Sequence, residues 1–285
     1  MIISHKYKFV FIHAPKTAGT SIRHLLANNS CLNNDIVAGH WHNITEEQYE
    51  KFPHVSRDIW THTSAMLGKE FFEDNGWDWD SYFKFGFIRN PWDRMISSYR
   101  YLIENMKNHP NPHPKNVEIH ERFHGKPIKD FIMERAKDPT RHYLCDKKGN
   151  LMVDYVGKFE NLWTDMKEII KQINPKINEC EWSLLHRNST STKETKHYSH
   201  YYDNESKEMV RSKCGQSIEL GNYKFEVGKK YLNDEDADLA IASLDFFQAN
   251  FDAKKYPYMH KDKTNYNIDD IKTLRKKIYE NSFFW

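Results

Sequence analysis

The sequence contains little cysteine. Its four cysteines, Cys31, Cys145, Cys180 and Cys214, lie far apart in 285 residues and form no Cys-x-x-Cys pair. This spacing excludes the dense disulfide framework of small secreted domains and the paired thiolates of zinc ribbons. We therefore expect all four cysteines to be reduced thiols.

Long apolar runs and a strong net charge are also absent. No stretch approaches the roughly 18 apolar residues of a membrane span, and the segment 1–8 is too polar to serve as a signal peptide. We therefore expect no membrane span and a cytoplasmic location. Lys+Arg 42 against Asp+Glu 40 leaves a net charge of +2, which favours no nucleic-acid partner. Any site that binds an anion must therefore depend on a local group of positive charges and not on the overall charge of the protein.

Strand-like and helical patterns alternate along the chain. A hydrophobic content of 39% is sufficient for a packed core. Strand-like runs lie at 7–12, 81–88 and 153–159, and helical patterns lie at 20–27, 92–102 and 162–173. This alternation predicts an α/β fold with a central, mainly parallel sheet flanked by helices.

Two parts of the chain depart from this alternation. Residues 108–127 are rich in proline, so we expect them to break any helix and to form a surface excursion, followed by a short helix over 128–136. Helical patterns at 234–251 and 268–279 end the chain. We predict a main domain over 1–227 and a helical C-terminal extension over 228–285.

A candidate anion-binding loop follows the first predicted strand. The loop His13–Ser21 separates that strand from a helical pattern, and backbone N–H groups at a helix N-terminus attract anions. Lys16 adds a mobile positive charge, and Gly19 allows close approach of the backbone. The Gly-Lys pair of the Walker A pattern is missing, which argues against ATP or GTP hydrolysis.

A second phosphate motif follows the next strand-like run. Arg89-Asn90-Pro91 opens a helical pattern, with Pro91 as an N-terminal signal, and Ser97 comes eight positions after Arg89. A guanidinium can fork onto phosphate oxygens, and a hydroxyl on the following helix can reach the same group.

Together these motifs resemble those of the sulfotransferases that use 3′-phosphoadenosine-5′-phosphosulfate (PAPS), in particular the carbohydrate branch of Golgi-type and bacterial enzymes. Residues 15–21 are similar to its Pro-Lys-Thr-Gly-Gly-Thr-Ser loop, with Ala18 in place of the commoner glycine. We expect that replacement to be mild provided that the position needs no positive φ. Residues 153–162 resemble the Val-Gly-[Arg/Lys]-Phe-Glu-Asn-Leu stretch of bacterial members, in which we interpret Glu160 as a helix N-terminal carboxylate.

The resemblance implies a P-loop-like three-layer fold, PAPS as the sulfuryl donor, PAP as the product, and no metal. The acceptor would be a hydroxyl or amine of a saccharide or small molecule, and the oligomeric state, including a homodimer, stays open. The implied donor-binding residues are Pro15, Lys16, Thr17, Ala18, Gly19, Thr20, Ser21, Arg89 and Ser97.

Sulfuryl transfer needs a cation for the departing phosphate and a base for the acceptor proton. Lys16 is the natural cation. In the related enzymes the catalytic histidine lies between the two phosphate motifs, shortly before the second, which favours His62. His40 and His42 occupy the same interval and remain alternatives.

Residues 185–189 and 198–202 fall where relatives carry a loop over the nucleotide. Arg187, Lys193 and Lys196 would be its phosphate contacts, and a solvated polar loop explains the pattern equally well.

Features of the sequence are compatible with two other function classes. His120-Glu121-x-x-His124 fits the zinc metalloprotease pattern, but the surrounding prolines and Gly125 argue against the long helix that presents such a motif. A non-catalytic nucleotide-binding module is the other alternative, against which the presence of Lys16 and His62 argues.

Overall fold

The computed structural model describes residues 1–28, 36–40, 46–51, 55–104, 106, 112–173 and 197–227. Its strands are β1 (Ile2–Ser4), β2 (Phe9–Ile12), β3 (Ile36–His40), β4 (Val55–Trp60), β5 (Phe83–Ile88) and β6 (Tyr155–Lys158). They form one six-stranded sheet in the order β4-β3-β1-β2-β5-β6.

The sheet is mainly parallel, as predicted. Strands β2 and β5, β5 and β6, and β3 and β4 pair in parallel, whereas β1 pairs antiparallel with both β2 and β3. The sequence patterns did not predict β1, which has only three residues. Strand β2 begins at Phe9 rather than Tyr7 because a turn with Lys8 at φ 51° joins it to β1.

Helices alternate with these strands along the chain. They are α1 (Gly19–Asn28), α2 (Glu46–Lys51), α3 (Ala65–Asp74), α4 (Pro91–Tyr99), α5 (Pro114–Phe123), α6 (Ile128–Arg135), α7 (Pro139–Tyr143), α8 (Leu162–Ile173), α9 (Asn204–Lys213) and α10 (Gly215–Gly221). A π-helical turn, Arg100–Glu104, directly follows α4.

The ends of several helices follow from local sequence signals. The Asn90 side chain accepts from the backbone N–H of Trp92 at the start of α4, where Pro91 occupies the first turn as predicted. The bounds of α8 agree with its amphipathic pattern. The expectation that residues 108–127 break any helix was wrong for α5. Pro114 lies in the first turn of that helix, where proline's missing N–H costs no hydrogen bond.

The two faces of the sheet carry different cores. On one face Ile3, Val10 and Ile12 pack with Ala65 and Phe72 of α3. On the other face the rings of neighbouring strands pack together: the Phe85 centroid lies 5.9 Å from that of Phe9, at a tilt, and 5.3 Å from that of Phe11, on which it stacks. The alternation of side chains along each strand produces this separation, and the packed core holds the carboxyl ends of β2 and β5 in register.

The chain divides into two compact units. The first comprises Met1–Gly19, Asn34–Phe159 and Lys196–Lys229 and contains the sheet; the second comprises Thr20–Asn33, Glu160–Thr195 and Lys230–Trp285. The predicted extension over 228–285 lies outside the described residues, so the boundary at 227 stays a prediction. Over the described part of the chain, no helix has the length and apolar character needed to cross a bilayer.

Candidate active site

The loop after β2 turns through two left-handed residues. Lys16 has φ 69° and Ala18 has φ 63°, and the Thr17 hydroxyl between them donates to the Ala14 carbonyl at 2.9 Å. Left-handed residues separated in this way form a concave run of backbone N–H groups that suits an anion. The condition for a mild replacement at position 18 is therefore not met, because Ala18 does adopt positive φ, which glycine adopts at lower cost.

Gly19 is required by a neighbour inside the loop. A Cβ at Gly19 would lie 1.8 Å from both Cδ2 and Nε2 of His13, a distance that real structures do not allow. The buried His13 ring therefore takes the space that a side chain at Gly19 would occupy. Close approach of the Gly19 backbone to an anion stays a prediction, and in the structure the group next to Gly19 is an imidazole.

Arg89 lies beside this loop. Strands β2 and β5 are parallel neighbours, with Ile12 opposite Gly86, so the segments after both strands emerge at the same edge of the sheet. Nη1 of Arg89 donates to the Lys16 carbonyl at 3.3 Å, which joins the two predicted phosphate motifs directly.

The Arg89 guanidinium is held from two more sides. Its Nε forms an ion pair with the buried Asp93 carboxylate one turn into α4, and its central carbon lies 4.0 Å from the centroid of the Phe159 ring. A cation between a carboxylate and an aromatic face keeps a fixed orientation. Sequence reasoning gave Asp93 and Phe159 no part in the site.

Asn90, next to Arg89, anchors a distant segment. Its Nδ2 donates to the Lys224 carbonyl at 3.3 Å and to the Tyr198 hydroxyl at 3.5 Å. The Glu226 backbone N–H also donates to that hydroxyl, at 2.8 Å. Burial is the main cause that raises the pKa of Tyr198, to about 12, so its hydroxyl stays neutral. The sequence motifs included Asn90 and Tyr198 but gave no sign of their contacts with residues 224 and 226.

The Lys16 ammonium lies against an aromatic ring. Its Nζ is 4.2 Å from the centroid of Tyr101, which belongs to the π-helical turn after α4. Burial, and to a lesser degree the positive charge of Arg89, lower the pKa of Lys16 from 10.5 to about 7. The Lys16 side chain is half-buried, so the loss of hydration disfavours its charged form.

Ser97 lies on α4 and is half-buried. It follows Asp93 by four residues, so both side chains lie on the same face of the helix. Thr20, half-buried, and Ser21, buried, lie in the first turn of α1. Phosphate contacts by these residues, and by Pro15, stay predictions.

His62 is hydrogen-bonded to the first residue of the loop. Its Nδ1 lies 2.8 Å from the His13 carbonyl oxygen, and the two imidazole centroids are 4.4 Å apart. Because a carbonyl can only accept, Nδ1 carries the proton and Nε2 carries the basic lone pair in the neutral ring. The side chain is solvent-exposed. Position and tautomer are those that a base beside the loop requires.

Comparison with known proteins agrees with this arrangement. The model of a family described as "Sulfotransferase family" matches residues 1–281. The chain belongs to the sulfotransferase family. This sulfotransferase is therefore an enzyme that transfers sulfuryl groups.

Individual relatives are more distant. An uncharacterized protein of Archaeoglobus fulgidus is 32% identical over 95 residues, which are 33% of this sulfotransferase and 69% of that protein. A solved structure of mouse sulfotransferase SULT7A1 complexed with PAP has a TM-score of 0.41 and 11% identity, over 78% of this chain and 91% of that one. The family match over residues 1–281 carries the assignment.

The remaining candidate residues of the sulfotransferase lie largely outside the described part of the chain. His42 lies outside the described residues, as do Arg187, Lys193 and Lys196, and of His40 only the backbone at the end of β3 is described.

The rings of His120 and His124 lie 4.8 Å apart at the end of α5, where His120 Nδ1 donates to the Leu102 carbonyl at 3.2 Å. In the described ranges no three His, Cys, Asp or Glu side chains come together as a metal site would require.

Proposed function

We propose that the enzyme transfers the sulfuryl group of PAPS to a hydroxyl or amine of a saccharide or other small acceptor. One observation carries the proposal: the Lys16 loop and Arg89 follow adjacent parallel strands and are hydrogen-bonded to each other. Two cationic groups at one sheet edge suit a donor that carries phosphates at both its 5′ and 3′ positions.

In this proposal the two motifs bind opposite ends of the donor. The loop 15–21 takes the 5′-phosphosulfate with its backbone N–H groups and with Lys16. Arg89 and Ser97 take the 3′-phosphate, and the fixed orientation of Arg89 between Asp93 and Phe159 supports that role. A guanidinium that is already oriented loses less freedom when phosphate binds.

The proposed reaction is an in-line displacement at sulfur. The acceptor oxygen or nitrogen forms a bond to sulfur while the bond between sulfur and the bridging phosphate oxygen breaks, and PAP leaves. Nε2 of His62 takes the acceptor proton, a role that its exposed position and Nδ1 hydrogen bond support. Lys16 neutralises the charge that develops on the departing phosphate.

The first experiment tests the donor. PAP and AMP differ only in the 3′-phosphate, so we expect PAP to bind more tightly in calorimetry and to raise the melting temperature more. Arg89→Ala should remove most of this preference and leave AMP binding nearly unchanged. Arg122→Ala, which removes an exposed arginine paired with Glu134, should keep it. Equal binding of PAP and AMP by the parent enzyme would overturn the proposal.

The second experiment tests the base. His62→Gln should bind PAP like the parent and lose about 100-fold or more of its turnover with labelled PAPS and a responsive acceptor. His142→Gln, a nearby histidine in contact with Tyr143, is the matched control and should turn over normally. Normal turnover in His62→Gln would assign the role to another residue, with His40 and His42 the next to be replaced.

A further inference from the structure

Lys16 and Arg89 both contact the helical segment that begins at Pro91. Arg89 pairs with Asp93 near the start of α4, and Lys16 lies against Tyr101 just beyond its end. Asp93 and Ser97 are four residues apart and share one face of α4, and Tyr101 lies beyond the end of α4, in the π-helical turn. Side chains near the two ends of this segment, Asp93 and Tyr101, therefore contact the two cations of the site.

The π-helical turn determines the position of the Tyr101 ring. Arg100–Glu104 is wound with i→i+5 hydrogen bonds, a rare geometry that occurs often at functional sites. Wider winding changes the direction of every following side chain relative to a continuous α-helix. Tyr101 lies within this turn, and its ring is the group that receives the Lys16 ammonium.

We propose that Tyr101 is a positioning residue for Lys16: its ring holds the ammonium beside the donor site until the phosphosulfate takes its place. Replacement of the ring by the phosphosulfate rests on the proposed function, whereas the contact between Tyr101 and Lys16 does not. The contact itself is a cation over an aromatic face at 4.2 Å, which favours the charged form of a lysine and restrains a long, flexible side chain.

The charged groups around Lys16 agree with such a role. Arg89, which is itself paired with Asp93, repels the ammonium. The Tyr101 ring supplies attraction without a formal negative charge, and burial raises the pKa of the Tyr101 hydroxyl, so it stays neutral. A carboxylate at this position would repel the incoming phosphosulfate, whereas an aromatic face holds the lysine and adds no charge to the site.

Two variants separate the ring from the hydroxyl. Tyr101→Phe keeps an aromatic face over Lys16, whereas Tyr101→Leu removes it. Tyr99→Leu is the control, because Tyr99 belongs to the same helix and packs 5.5 Å from Phe131 between centroids. The probe is the NMR signal of the Lys16 ε-CH₂ group in protein labelled with 13C-lysine, assigned as the signal that disappears in Lys16→Arg.

In the ligand-free enzyme we expect the ring current to shift this signal upfield. The shift should persist in Tyr101→Phe and Tyr99→Leu and vanish in Tyr101→Leu, where the pKa of Lys16 should also fall. An unshifted Lys16 signal in the parent enzyme, or a signal unaffected by Tyr101→Leu, would overturn the inference whatever the donor is.

Addition of PAP then tests whether the Lys16 ammonium leaves the Tyr101 ring when a phosphate binds. The Lys16 signal of the parent should lose its upfield shift as the ammonium moves to the phosphate. In turnover assays Tyr101→Leu should lower kcat about 3- to 30-fold, and Tyr101→Phe should restore most of it. If PAP binds and the ring-current shift persists, the holding role is wrong while the proposed function stands. If PAP does not bind, the proposed function fails and the ligand-free result still decides the contact.

Discussion

Replacing Ala18 with glycine should stabilise the enzyme. Ala18 has φ 63°, a left-handed conformation that costs a residue with a Cβ roughly 1–2 kcal/mol. Glycine removes that cost and adds about 0.5–1 kcal/mol of backbone entropy to the unfolded chain. The difference is a gain of about 0.5–1 kcal/mol, or a rise of about 1–4 °C in melting temperature for a protein of this size.

The assay is urea or thermal unfolding of Ala18→Gly beside Ala136→Gly. Ala136 ends α6 with φ −62°, a conformation that alanine adopts freely, so glycine there should destabilise by about 0.5–1 kcal/mol. Opposite signs for the two variants would bear out the backbone argument. A loss of stability in Ala18→Gly, or an equal gain in both variants, would refute it.

Two further outcomes are expected. With a pKa of about 7, Lys16 is charged below pH 7, and above it the lysine must take up a proton when PAP binds. PAP affinity should therefore fall by up to about tenfold per pH unit above pH 7 in calorimetry, and Lys16→Arg should abolish this slope; a flat profile from pH 7 to 9 contradicts the assignment. Gly19→Ala places a Cβ against the His13 ring and should lower stability by about 1–3 kcal/mol. An unchanged urea midpoint would show that His13 moves aside at no cost.

Local signals made the parallel part of the fold predictable. The apolar run before His13, the proline at position 91 and the amphipathic pattern of α8 each report on a few neighbouring residues. The same locality explains the errors. Strand β1 is too short to show a period of two, and its stability comes from pairing with β2 and β3 rather than from its own three residues. Pro114 was interpreted as a breaker because its place in the first turn of a helix depends on where that helix starts.

In the site, the motif residues were predictable and their neighbours were not. Lys16 and Arg89 belong to recognisable strings of residues, and their mutual hydrogen bond follows from strand order. The contact of Tyr101 with Lys16 depends on a π-helical turn that no simple periodicity indicates. The contact of Asn90 with Lys224 spans 134 residues, a separation over which sequence spacing carries no information.

The hydrogen bond between His62 and the His13 carbonyl has a consequence for reaction order. His62, the proposed base, is hydrogen-bonded to the first residue of the loop proposed to bind the donor, so movement of that loop would also move Nε2. If the acceptor bound before the donor, Nε2 of His62 would not yet have the position that it takes once the donor is bound. We expect an ordered mechanism with PAPS binding first, in which PAP inhibits competitively against PAPS and not against the acceptor.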